Sequence, residues 1–179
     1  MTIPILDREL IFQEMLTAYS GGHYEHSMPS GELMNHMYDS DRSCRMRFMY
    51  LSTPGLRKVM ERIQYSLAEV HGSWSRIGWI AINVFEIGAV MLAHKDRDIG
   101  YGEIKNIAVT TLRNSYEGGA FYLCPEADHS EDGKSVYTMG QVLRHDLVAG
   151  EWLVFENQVH GVEEVNSGLR MSISVRDYV

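Results

Sequence analysis

Apolar positions recur along this chain with two different spacings, and the change from one to the other falls near residue 75. From Asp7 to about Tyr19 the spacing is helical, with Leu10, Ile11, Met15 and Leu16 set for one buried face, and Ser20-Gly21-Gly22 stops it. A second helix is predicted from Pro54, whose locked φ suits a first turn, to about Val70. Leu56, Val59, Met60, Ile63 and Leu67 repeat there at three and four residues, and Gly72 ends the run. Between the helices, His23 to Leu51 has no clean period and is rich in polar residues, Met and His. Such a stretch reads as surface loop, or as a lid over a site mouth that touches substrate. Arg42, Arg45 and Arg47 within it fit one face of an extended segment, either solvated or facing an anion.

After Trp74 the pattern shortens to strands: Trp79 to Phe85, Val90 to His94, Ile104 to Leu112 and Ala120 to Cys124, then Gln141 to His145, Trp152 to Glu156, Gly161 to Val165 and Leu169 to Val175. Short strands separated by turn glycines predict a mostly β, α+β fold. The architecture expected is a double-stranded β-helix (a jelly roll or cupin-like barrel) with the N-terminal helices packed outside. No repeat or second domain is visible, so residues 1–179 are expected to form one domain, helical and loop over 1–75 and jelly roll over 76–179.

Composition narrows the classes. A formal charge of −8 disfavours broad attraction to nucleic acid or an anionic membrane. Two cysteines are too few for a disulfide framework. The N-terminus lacks the basic start and apolar run of a signal peptide, and Ile77 to Ala93 is interrupted by Asn83, Glu86 and two glycines. A cytoplasmic protein without a membrane span is therefore expected. The oligomeric state stays open.

The candidate chemistry lies in the strands. His94 and Asp96, one residue apart, point the same way on an extended chain, and His160 can reach them from a neighbouring strand. Two imidazoles and one carboxylate suit Fe(II) held on one face, with open positions for a co-substrate and O₂. Arg170 follows His160 by ten residues. In the run Arg-Met-Ser-Ile-Ser-Val, Arg170, Ser172 and Ser174 share one face, while Met171, Ile173 and Val175 take the other. An Arg on a polar interior face needs an anion, because an unpaired buried charge is costly. A bound carboxylate gripped by the guanidinium, with a Ser hydroxyl beside it, meets that need; so would an Asp or Glu of the protein itself.

These residues resemble the iron(II)/2-oxoglutarate-dependent oxygenase superfamily, especially its prolyl-4-hydroxylase-like branch. The resemblance covers roughly Ile80 to Val175. Gly88 stands six residues before His94, as in that branch's Tyr-x-x-Gly-x-x-x-x-x-His-x-Asp. Gly118-Gly119-Ala120-Phe121 is similar to its Gly-Gly-x-Leu strand, and Val148 to Phe155 to the Pro-x-Gly-x-x-x-x-Phe strand before the second His. His160-Gly161-Val162 and Gly168-Leu169-Arg170-Met171-Ser172 match its closing His-x-Val…Gly-x-Arg-x-Ser. The resemblance implies His94, Asp96 and His160 as iron ligands, and Arg170, helped by Ser172, as the holder of the distal carboxylate of 2-oxoglutarate. It also implies O₂ as co-substrate and hydroxylation of an amino acid, peptidyl side chain or other small metabolite.

One position departs from the pattern. Where the branch often has Tyr, this chain has Phe85, which cannot donate a hydrogen bond; Asn83 and Asn106 are candidate substitutes. Asp96, where related halogenases have Gly or Ala, implies that no halide is bound. A nucleobase substrate is the alternative, since Arg170 to Arg176 also resembles the Arg-x-Ser-x-x-x-Arg close of alkylation-repair oxygenases and His160-Gly161-Val162 the TET-type and J-type base hydroxylases. A non-catalytic, metal-binding cupin-like protein is the third reading, one in which Arg170 has no task.

Overall fold

The computed structural model describes residues 2–21, 46–49, 58, 63, 67, 77–96, 102–125 and 140–178. Among the described elements a helix, α1 (Ile5–Ser20), precedes eleven strands. They are β1 (Met46–Met49), β2 (Ile77–Phe85), β3 (Met91–His94), β4 (Ile104–Thr111), β5 (Tyr116–Gly118) and β6 (Phe121–Cys124). There follow β7 (Leu143–His145), β8 (Leu153–Glu156), β9 (Val159–Val162), β10 (Val165–Gly168) and β11 (Arg170–Tyr178). A five-stranded sheet runs β1-β2-β11-β4-β8, a four-stranded sheet runs β3-β9-β6-β7, and β5 pairs with β10. The strand pairings among the described residues are antiparallel. This is the expected jelly-roll architecture, mostly β with a helix layer outside.

Two apolar clusters explain the layering. In one, Ile82, Val84, Ala108, Met171, Ile173 and Val175 meet Ile11, Phe12, Met15 and Ala18 of α1, together with Ile63 and Leu67. In the other, Phe85, Ile107, Val109 and Phe155 of the larger sheet meet Met91, Phe121, Leu123 and Val162 of the smaller one. Because side chains alternate along a strand, odd-numbered residues of β11 face the helix layer and even-numbered ones face the second sheet. Both faces of β11 are therefore covered, and all nine of its residues are buried.

The expected helix over Asp7–Tyr19 is present, but its buried face differs. Ile11, Met15 and Ala18, spaced four and three, form the stripe with Phe12, while Leu10 is 54% exposed, a turn of about 100° to the side. Lys58, Ile63 and Leu67 are helical, and the last two are buried four residues apart, as expected of the second helix; its other residues lie outside those described. So does most of the segment from His23 to Leu51 expected to form a lid, including His23, His26, His36, Arg42 and Arg45. Within that stretch Met46–Met49 is a strand, as the extended reading of the segment around Arg47 expects, and it pairs with the edge that β2 offers. The predicted strand from Gly161 to Val165 is instead two, β9 and β10, belonging to different sheets.

Met15 is fully buried between α1 and the larger sheet. Met15→Ala should cost about 3 kcal/mol of unfolding free energy in urea denaturation. A loss under about 1 kcal/mol would contradict the packing described.

Candidate metal centre and co-substrate pocket

The pairing of β3 with β9 sets His94 directly opposite His160. A register shift between Met91 and His94 marks an irregularity there, a common device for re-aiming a side chain near a site. Asp96 lies two residues beyond, and Lys95 between them is exposed, so the alternation continues past the strand end. The close approach depends on Gly161. A Cβ at that position would strike the Tyr122 hydroxyl and lie 2.6 Å from the Met91 carbonyl oxygen.

His94 Nε2 is 3.5 Å from Asp96 Oδ1, and one ligand atom from each of His94, Asp96 and His160 lies within 4.8 Å of the others. Small side-chain rotations would close that set onto one first-row ion with bonds of roughly 2.1 Å. The His160 Nδ1–H donates to the Gln158 carbonyl at 2.9 Å, which leaves Nε2 unprotonated and available as a ligand. Burial pushes His160 down to about 4, reinforced by neighbouring His94, so it carries no charge at neutral pH. The Phe121 and Phe155 rings pack against it at 5.7 and 5.3 Å between centroids. For Asp96, burial alone would raise the carboxyl. Arg176 and the His94 hydrogen bond outweigh that and hold it well below the usual range. The Asn157 amide donates to the Asp96 carbonyl at 3.0 Å, fixing the backbone there.

The same cavity reaches from His94, Asp96 and His160 to Arg170 and Ser172. Arg170 has no solvent exposure. Its Nη1–H donates to Ser172 Oγ at 2.9 Å, the Phe85 ring lies 4.9 Å from the guanidinium carbon, and Nε and Nη2 have no hydrogen-bond partner. No Asp or Glu among the described residues pairs with it. Burial lowers its pKa, partly opposed by Tyr116, as expected of a charge without a carboxylate. Gly119, with φ +62°, makes room for it, since a Cβ there would sit 3.0 Å from Arg170 Cδ. Two donors without a partner, on a residue that lines the cavity, fit a bound carboxylate such as that of 2-oxoglutarate, and the two imidazoles and carboxylate that line the same cavity fit iron(II).

The polar row on β11 runs past the predicted strand end at Val175. Arg170, Ser172, Ser174 and also Arg176 line the cavity, and the Arg176 Nε–H donates to Asp96 Oδ2 at 2.6 Å. Continuing the period-two alternation one step past Val175 would have found it. Of the two amides considered in place of the missing Tyr hydroxyl, Asn83 lines the cavity in register with Ser172 and its Oδ1 has no partner. Asn106 turns elsewhere, with Nδ2 3.4 Å from Asp177 Oδ2. Phe85 stacks near Arg170, where a cation over a ring face is favourable.

Solved structures share this arrangement of strands. A prolyl-4-hydroxylase from Pseudomonas putida superposes over 98% of this chain and 88% of its own, with a TM-score of 0.62 and 15% identity. A prolyl hydroxylase from Trichoplax adhaerens, in complex with a hypoxia inducible factor peptide fragment, matches over 96% and 78%, with a TM-score of 0.68 and 14% identity. The fold is that of the 2-oxoglutarate–iron(II) oxygenases. The epimerase SnoN from nogalamycin biosynthesis, solved with Fe3+ and alpha ketoglutarate, is also similar, over 98% and 76%, with a TM-score of 0.63 and 15% identity. No family model matches the sequence, and no curated protein matches it. No helix among the described residues is long and apolar enough to cross a membrane.

His160→Ala should reduce bound iron or manganese from one equivalent to near zero by elemental analysis. Lys95→Ala, between two of the ligand candidates but facing outward, should leave it unchanged. Full retention of metal in His160→Ala would put the ion elsewhere.

Proposed function

We propose that this chain is an iron(II)- and 2-oxoglutarate-dependent dioxygenase that hydroxylates an unactivated C–H bond of an amino acid, a peptidyl side chain or another small metabolite, releasing succinate and CO₂. The observation that carries the reading is the buried Arg170, whose Nε and Nη2 face no partner in the cavity that also holds His94, Asp96 and His160. A metal-binding barrel without a co-substrate has no use for that charge, and burying it unpaired costs several kcal/mol.

The roles follow from the positions. His94, Asp96 and His160 hold the ion. Arg170 takes the distal carboxylate through its two open nitrogens, while Ser172 fixes the guanidinium and stands beside the same anion. Bound iron(II), 2-oxoglutarate and O₂ together supply an oxidant strong enough for an unactivated C–H bond. Phe121, Phe155 and Val162 line the cavity and keep water from it.

The substrate side is supported by the groove that shares Asp96 with this cavity. Among the described residues Lys95, Glu103, Lys105 and Glu156 line it, with both signs interleaved rather than set as a basic stripe that would follow a phosphate backbone. That favours a small or peptidyl substrate over nucleic acid. The relatives' names leave hydroxylation and epimerisation both represented among proteins of this fold.

Succinate release from 2-oxoglutarate, screened against amino acid, peptide and single-stranded oligonucleotide pools, tests the reading. An amino acid or peptide pool should stimulate release. Arg170→Lys keeps the charge but loses the fork, so 2-oxoglutarate affinity should weaken about tenfold, or about 1.4 kcal/mol. Arg170→Met should lose more while keeping its metal. Unchanged affinity in Arg170→Met would make Arg170 structural and remove the main support for an oxygenase.

A further inference from the structure

Both oxygens of Asp96 are already engaged. Oδ1 lies 3.5 Å from His94 Nε2, within the candidate ligand set, while Oδ2 accepts from Arg176 Nε at 2.6 Å. The two partners come from opposite sheets, Asp96 from just beyond β3 and Arg176 from β11. Their side chains are only 8% and 10% exposed, so this is a buried bridge rather than a solvated surface pair. Arg176 lines the same cavity as Arg170.

Resting on the oxygenase reading, we propose that Arg176 is a positioning residue that confines Asp96 to donating one oxygen, Oδ1, and offsets its charge, so that the metal binds weakly alone and firmly only together with the dianionic co-substrate.

The charges lining the cavity give the reason. Asp96 is negative, while Arg170 and Arg176 are positive. Among the described lining residues a divalent cation therefore meets two guanidiniums against one carboxylate, and the second oxygen of that carboxylate is committed to one of them. A dicarboxylate reverses that balance, pairing with Arg170 at one end and offsetting the ion at the other. Each ligand then lowers the cost of binding the other, and linkage makes the effect equal in both directions. A carboxylate without Arg176 keeps its full charge and can turn to offer both oxygens, so the metal gains affinity alone and depends less on the co-substrate. The lysine variant separates charge from fit, since it restores the positive charge without the planar fork.

Mn(II) serves as the probe, titrated anaerobically into the full chain with and without saturating 2-oxoglutarate and followed by the resonance signal of the free ion. In the native chain 2-oxoglutarate should tighten Mn(II) binding about tenfold or more. Arg176→Gln should bind Mn(II) alone about tenfold tighter than native, with the enhancement by 2-oxoglutarate reduced below about threefold. Arg176→Lys should return Mn(II) affinity toward the native value. Should Arg176→Gln fail to fold by circular dichroism, the near-isosteric Asp96→Asn gives the decision without metal. Removing the carboxylate leaves Arg176 uncompensated by Asp96, so metal-free 2-oxoglutarate affinity should rise at least about threefold. Native coupling retained in Arg176→Gln, or unchanged metal-free affinity in Asp96→Asn, would overturn the proposal while leaving the oxygenase reading intact. A native chain that binds neither Mn(II) nor 2-oxoglutarate would overturn both.

Discussion

A guanidinium sealed inside a β-sandwich without a carboxylate is the constraint from which the rest of this structure is best understood. Arg170 is fully buried and donates from Nη1 to Ser172, while Nε and Nη2 have no hydrogen-bond partner. Such a charge costs several kcal/mol unless an anion reaches it, and folding alone supplies no reason to keep it. Its surroundings are shaped to tolerate and aim it. Phe85 presents a ring to it, and Gly119 gives up a side chain to make space.

The layering makes that arrangement possible. β11 lies at the centre of the five-stranded sheet, with one face against α1 and the other against the second sheet. Met171, Ile173 and Val175 bury enough apolar surface against the helix layer to anchor the strand, at roughly 25 cal/mol per Å². That frees the opposite face to carry Arg170, Ser172, Ser174 and Arg176 into the cavity. The second sheet brings His94 and His160 together by strand pairing, and Arg176 ties the larger sheet to Asp96 across the interior. Metal end and anion end are thus held by different sheets, so the spacing between them is set by how the sheets pack.

Much of this was readable in the sequence because β-strand alternation has a fixed period. It sorted the two faces of β11 and put His94 and Asp96 on one side. The features it missed depend on partners far along the chain. The bounds of β1 depend on the edge that β2 offers, and the break between β9 and β10 exists because they pair into different sheets, which leaves no local mark. Apolar spacing alone puts Leu10 in the core, but the helix packs along Ile11, Met15 and Ala18, a direction set by the sheet beneath. Arg176 fell one residue beyond the predicted strand end, although it continues the alternation. The groove beside Asp96 unites Lys95 with Lys105 and Glu156, residues whose proximity only the fold creates.

The central claim is that Arg170 is held in the interior to receive a carboxylate at the far end of a 2-oxo acid. Its most direct test compares two ligands rather than two proteins. Anaerobic calorimetry on the Mn(II)-loaded native chain would measure 2-oxoglutarate against 2-oxopentanoate, which has the same five-carbon chain but no distal carboxylate. An unanswered buried guanidinium should make 2-oxoglutarate bind at least about thirtyfold more tightly, the low end expected when one member of a buried charge pair is removed. Equal affinity for the two acids would contradict the account, because Arg170 would then take no part in recognising the ligand.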